Sequence, residues 1–431
     1  MRLLLKGGRL IDPSQNMDDV ADILIESGHI VKIGKNLCKS LKNTEDVQIF
    51  DMKDLVVTPG LIDMHTHLRE PGFEYKETIQ TGSKAAAAGG FTSIACMANT
   101  QPVNDTRSVT EFIKREAAIC NLVNVYPVAA ISMELKGIDL TEFKDLKNAG
   151  AVAFSDDGKP VMDSALMRRA LEYASSLGVP IIAHCEDIGL ASHGSMNEGL
   201  IATELGLQGI PTIAEDTMVA RDILIADYTN TTLHIAHVST AGAVQLIREA
   251  KAKGVKVSAE TAPHYFTLSE KSIGEFDTCA KVNPPLRSMA DVASLKAGIK
   301  DGTIDAIASD HAPHAATDKE LEFEYAAFGL SGLETSLALS LNLVADGVLS
   351  LSELVMKMST NPARILHLPK GTLKMAADAD ITVIDLKKKW VVDRDSFHSK
   401  GKNTPFHGWS MAGKAVMTIV GGKIVYHDIE K

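Results

Sequence analysis

The chain predicts an α/β protein: a (β/α)8 barrel of TIM type with a small β-sandwich domain built from both termini. Three observations point there. Short apolar runs recur through the middle of the chain at intervals of roughly 25 to 50 residues, with helical stretches between them. Both ends carry strand-and-turn patterning without helical periodicity. The apolar runs of the middle end repeatedly on histidine or aspartate, as expected where the C-terminal ends of barrel strands carry chemistry.

The first segment, 1–57, reads as short strands at 3–5, 22–25 and 30–33, separated by Gly7-Gly8 and Ser27-Gly28. The barrel, 58–367, takes its eight strands from 61–68, 91–97, 123–129, 152–156, 180–185, 233–238, 256–260 and 306–310. The last segment, 368–431, again shows strands, at 381–384, 416–420 and 423–426, with the Gly421-Gly422 turn before the last. Neither terminal segment has enough strands to bury a core alone, so the two are expected to form one β domain together.

Composition narrows the function. Of 431 residues, 45% are hydrophobic and 23% charged, which places the chain among globular proteins. The 55 Asp+Glu against 44 Lys+Arg leave a net charge of −11 with no basic cluster, which argues against nucleic acid as a partner. The N-terminal apolar stretch, Leu3-Leu4-Leu5, is too short for a signal segment, and no run reaches the ~18 apolar residues of a membrane helix. Five scattered cysteines (Cys38, Cys96, Cys120, Cys185, Cys279), never in C-x-x-C spacing, read as reduced thiols of a cytoplasmic protein.

The first barrel strand ends in His65-Thr66-His67, and the period of two puts both imidazoles on one side. The fourth ends in Asp156-Asp157-Gly158, the fifth at His184, the sixth at His237 and the eighth in Asp310-His311. Four histidines and two carboxylates on one rim are costly to bury unless a metal ion compensates them. Nitrogen and oxygen donors suit zinc, with cobalt or manganese as alternatives. Six donors exceed the three of a mononuclear catalytic site, so two zinc ions sharing a bridging carboxylate are expected, and such a pair activates water for hydrolysis.

The segments Asp63-Met64-His65-Thr66-His67-Leu68-Arg69-Glu70-Pro71-Gly72, Met97-Ala98-Asn99-Thr100, Asp156-Asp157-Gly158, Asn283-Pro284-Pro285-Leu286-Arg287, Ser309-Asp310-His311-Ala312-Pro313-His314 and Phe328-Gly329 together resemble the class I dihydroorotases of the amidohydrolase superfamily, over nearly the whole chain. The resemblance implies that His65, His67 and Asp310 hold one metal, that His184 and His237 hold the other, and that Asp157 bridges them. Many superfamily relatives bridge with a carbamylated lysine instead, and Asp157 counts against the hydantoinases. It further implies that His67, Arg69, Asn99, Asn283, His314, Phe328 and Gly329 contact the substrate and that Asp310 is the catalytic proton shuttle. Ala98 departs from the proline of the family pattern and is expected to loosen the turn that carries Asn99.

The implied activity is reversible, zinc-dependent hydrolysis of the cyclic amide of dihydroorotate to N-carbamoyl-L-aspartate in pyrimidine biosynthesis. A homodimer and association with aspartate transcarbamoylase belong to the same expectation. The alternatives are a hydantoinase- or allantoinase-type enzyme and a non-catalytic structural relative. The loop over 314–329, with Lys319, Glu320, Glu322 and Glu324 among few large apolar residues, is expected to be weakly anchored and to close over ligand.

Overall fold

A computed structural model describes residues 2–40 and 46–429. Its centre is a sheet of eight parallel strands in sequential order: β1 (Leu61–Thr66), β2 (Phe91–Cys96), β3 (Asn124–Ala129), β4 (Ala153–Phe154), β5 (Ile181–Ala183), β6 (Leu233–Ile235), β7 (Val257–Thr261) and β8 (Ala306–Ile307). A parallel bridge between Thr66 and His311 links the last strand's extension back to the first, so the sheet is nearly closed. All eight runs expected from the sequence are strands. Most ladders stop one to three residues short of the expected C-terminal ends, and His67, Asp157, His184, His237 and Asp310 lie just beyond the last paired residues.

One small or branched residue from each of five strands (Ala95, Val128, Ala153, Ile182 and Ala306) meets the others, and Ala236 just past the end of β6, in a buried cluster. Such mutual contact across strands is possible only inside the barrel, which is therefore packed rather than hollow. The outward-facing residues, among them Ile94, Phe154, Ile181, Ile235 and Ile307, join the main core with the helices. The helix Ile79–Gly89 shows the local logic. Thr78 and Thr81 form a reciprocal capping box at its start, and Gly90, at φ 89°, ends it one residue before β2.

The terminal strands Arg2–Asp12, Met17–Glu26, His29–Gly34, Val47–Asp51 and Val56–Pro59 share one hydrogen-bonded sheet with Ile381–Val391, Ser410–Val420 and Lys423–His427. The two ends of the chain meet where Val56–Pro59 pairs antiparallel with Ile381–Ile384. Leu5, Ile23, Ile25, Val57, Ile381, Val383 and Met417 form that sheet's own buried core. Gly60 then turns directly into β1, and a Cβ there would sit 2.0 Å from the Thr92 hydroxyl, so the close approach requires glycine. No helix among the described residues is long and apolar enough to cross a membrane. The five cysteines are free.

Candidate metal centre

The strand ends bring His65, His67, Asp157, His184, His237 and Asp310 together, all buried. Asp157 is central: its Oδ1 lies 3.3 Å from His65 Nε2, 3.4 Å from His184 Nδ1 and 3.4 Å from His237 Nε2, and its Oδ2 lies 3.5 Å from His67 Nε2. Asp310 Oδ1 is 3.3 Å from His67 Nε2 and 3.6 Å from His65 Nε2. Two groups have donor atoms close enough to share an ion, His65 with His67 and Asp310, and His65 with Asp157 and His237. His184 adjoins the second, its Nδ1 2.8 Å from His237 Nε2. Arg69, His237 and Asp310 hold positive φ values of 64°, 33° and 47°, and such strained backbone in non-glycine residues persists where surrounding structure enforces it, often at functional sites.

Asp156, next to Asp157, faces away. Its carboxylate accepts the backbone N–H groups of Ile131 and Ser132 at 2.7 and 3.0 Å, and the Ser132 hydroxyl.

The donor chemistry fits a divalent cation. His65 Nε2 and His184 Nε2 are buried without a hydrogen-bond partner. His65 Nδ1 is held by Glu260 Oε1 at 2.8 Å, and His67 Nδ1 by Asn99 Oδ1 at 2.8 Å. An acceptor on Nδ1 places the proton there and leaves the Nε2 lone pair facing the cluster. Burial alone would lower the pKa of His65, but Asp157, Glu260 and Asp310 outweigh it and hold it well above the ordinary value. Burial would raise Asp157, and His65, His184 and His237 instead hold it well below the carboxylate range. The cluster thus favours positive charge at its centre, as a cation supplies.

His67, Asp157, His184, His237 and Asp310 line a cavity of about 220 Å³, while His65 lies behind it. Arg69, Asn99, Asn283, His314, Phe328 and Gly329 line the same cavity. A larger one, about 650 Å³, runs past Cys279, Lys319, Arg394 and Lys402 and shares only His314 with the first. It contains none of the clustered donors, so the smaller cavity is the candidate site. Gly329, at φ 132°, packs its α-carbon so closely that a Cβ would stand 2.7 Å from Ala312.

Two expectations need correction. The turn at Ala98 is firm without proline: Ala98 is fully buried, and its carbonyl accepts from Thr100 and Asn104 at 2.8 and 3.0 Å. The 314–329 loop is well anchored. Lys319 is only 4% exposed and donates to the carbonyls of Lys281, Ala327 and Gly329 at 3.3, 2.7 and 3.0 Å. Lys281 in turn donates to the Phe323 and Glu324 carbonyls at 2.6 and 2.9 Å. The charges that suggested a solvated lid are in part internal ties.

Sequence reasoning missed Glu260, which holds His65, and Glu186, which accepts from Asn283 Nδ2 at 3.1 Å and lies 3.5 Å from His184 Nε2. Glu260 was findable as a carboxylate at the end of the seventh strand run; Glu186 had no signal beyond standing two residues after His184.

A barrel with this rim defines the class as an amidohydrolase, and the Amidohydrolase family matches residues 154–426. The Dihydro-orotase-like family matches residues 54–243. The chain is 62% identical to a dihydroorotase of Syntrophus aciditrophicus over 99% of its length and 100% of that protein, and 57% identical to one of Geobacter metallireducens over 99% and 100%. Among solved structures, an L-hydantoinase (dihydropyrimidinase) from Arthrobacter aurescens superposes with a TM-score of 0.88 at 27% identity, covering 99% of this chain and 96% of that one. A dihydropyrimidinase from Brevibacillus agri gives 0.84 at 25%, covering 99% and 95%. The chain belongs to the dihydroorotase family of the amidohydrolases.

Proposed function

We propose that this site catalyses the reversible hydrolysis of dihydroorotate to N-carbamoyl-L-aspartate, a step of pyrimidine biosynthesis. The observation that carries the choice of substrate is Arg69. Its half-buried guanidinium lines the same cavity as the metal cluster and has no carboxylate partner among the described ion pairs, contacting only the Pro313 carbonyl and His314, both at 3.3 Å. Burial pulls its pKa down to about 10, so it remains charged near neutrality. An unpaired guanidinium on the wall of a cavity calls for an anion, and a planar carboxylate fits it with two parallel hydrogen bonds. Dihydroorotate brings that carboxylate together with a cyclic amide; hydantoin and allantoin lack it.

In this reading His65, His67 and Asp310 would hold one zinc ion, His184 and His237 would hold a second, and Asp157 would serve both. When bound, the ions activate water and polarise the amide carbonyl. The rest belongs to the side chains. Asp310, held to about 2 by His67 and His65 against the effect of burial, is ionised and ready to accept the proton of the attacking water. It then delivers that proton to the departing ring nitrogen, and the reverse path closes the ring. Asn283 Oδ1, buried and unpartnered, is free to accept a substrate N–H.

The test is turnover of dihydroorotate, hydantoin and allantoin by the metal-loaded protein. Dihydroorotate should be strongly preferred; preference for hydantoin would reassign the chain to the activity of its structural neighbours, and metal binding without turnover of any would make it a non-catalytic relative. A homodimer and an aspartate transcarbamoylase complex are supported by the family resemblance alone, and sedimentation with and without that enzyme tests them.

A further inference from the structure

His314 sits among cations. Lys76 Nζ lies 3.3 Å from its Nδ1, an Arg69 nitrogen lies 3.3 Å from its Nε2, and the buried ammonium of Lys319 is close enough to disfavour its protonation. The carboxylate facing it is Asp318, with Oδ2 3.6 Å from Nδ1 and 3.4 Å from Lys76 Nζ. The ring itself is only 7% exposed.

These contacts select one protonation form. Nε2 is 2.8 Å from the Phe328 carbonyl, an acceptor with no proton to give. Lys76 is an ammonium, a donor with no lone pair. Only a neutral ring with its proton on Nε2 satisfies both, donating to Phe328 and accepting from Lys76. The opposite form would accept from Arg69 but would set N–H against ammonium and lone pair against carbonyl. The cationic form would set Nδ1–H against Lys76 as well. Burial together with Arg69, Lys76 and Lys319 pushes the His314 pKa down to about 2, in keeping with a neutral ring. Lys76 is itself held in place: it follows β1 in the chain, lies 5.6 and 5.4 Å from the Phe73 and Tyr75 ring centres, and ties the first strand's loop to the last strand's loop.

We propose that Lys76 is a positioning residue for substrate recognition: it holds His314 in the neutral Nε2–H form, so that the one N–H, given to the Phe328 carbonyl in the free protein, can be shared in a three-centre bond with an anion bound beside Arg69. The identification of that anion as the dihydroorotate carboxylate rests on the function proposed above; the coupling of Lys76 to His314 does not. Removing the ammonium frees Asp318 to accept from Nδ1, which draws the proton to that nitrogen and turns Nε2 from donor into acceptor.

The experiment is nitrogen NMR of the metal-loaded protein labelled at its histidines, with the His314 signals assigned from a His314→Gln variant. In the parent, Nε2 should be protonated and Nδ1 not, with no change between about pH 6 and 9. In Lys76→Met the proton should move to Nδ1, and Lys76→Arg, which also only donates, should restore the parent pattern. The KM for dihydroorotate should rise about tenfold in Lys76→Met while kcat changes by less than about threefold. A parent protein with its proton on Nδ1, or Lys76→Met with unchanged ring signals, overturns the proposal. The parent spectrum decides even if the variant does not fold. The expected spectra in a protein that ignores dihydroorotate would support the coupling and remove only the named substrate.

Discussion

At the foot of the barrel, where the terminal sheet joins it, Thr382 and Asp380 have their hydrogen bonds completed by the chain itself. The Thr382 hydroxyl donates to the Gly90 carbonyl at 2.6 Å and accepts from the Leu61 N–H at 3.1 Å. The Asp380 carboxylate takes Lys370 Nζ at 2.6 Å, Asn124 Nδ2 at 3.0 Å and the Gly421 N–H at 2.7 Å. At the mouth the same kinds of atom go unmatched: His65 Nε2, His184 Nε2, His264 Nε2 and Asn283 Oδ1 are buried with no partner. Both ends are equally enclosed, so burial does not distinguish them. What differs is whether the chain completes its own hydrogen bonds, and the end where it does not is the end that awaits ions and substrate.

The comparison predicts that changes at the mouth cost activity and changes at the foot cost stability. The largest effect belongs to Asp157→Asn. A neutral amide bridges two dications poorly, so bound metal should fall on elemental analysis and kcat should drop by more than about a thousandfold. Unchanged metal and activity would remove Asp157 from the centre of the site.

Arg69→Met should leave metal content intact and lower kcat/KM for dihydroorotate roughly thirty- to a thousandfold, by loss of a charge-assisted bidentate contact. Turnover of an uncharged cyclic amide should fall much less, and equal losses on both substrates would mean that Arg69 supports the metal site or the fold. Glu260→Gln should weaken metal affinity about 10- to 100-fold, measured by competition with a chromogenic chelator, because His65 loses the carboxylate that directs its lone pair.

Thr382→Val is the matching change at the foot. It strands the Gly90 carbonyl and the Leu61 N–H, so urea denaturation should show a loss of about 1–3 kcal/mol while kcat stays within about twofold of the parent. A larger change in kcat than in stability would break the division between the two ends.

Much of this was legible before the structure. The eight apolar runs mark strands because each had to be hydrophobic enough to serve both the barrel interior and the helical layer, and the polar residues that end them had little other reason to stand there. Asp156 and Asp157 were harder to separate, since adjacent residues share every composition signal; only the backbone direction shows one capping the Ile131 and Ser132 amides and the other facing four imidazoles. The 314–329 loop was misread because a lysine counts as solvated in sequence, yet Lys319 is buried against three carbonyls contributed largely by residues outside its own turn. Lys76 and Glu260 act through histidines distant in sequence, His314 and His65, and no spacing rule links them.

The central claim is that the unmatched donors at the barrel mouth are completed by metal. It is tested most directly by stripping the purified protein with a chelator, returning zinc in steps, and following bound metal and dihydroorotate turnover on the same samples. Turnover should vanish with the metal and recover in proportion to it, reaching its plateau at two ions per chain. Full turnover by the metal-free protein would contradict the account.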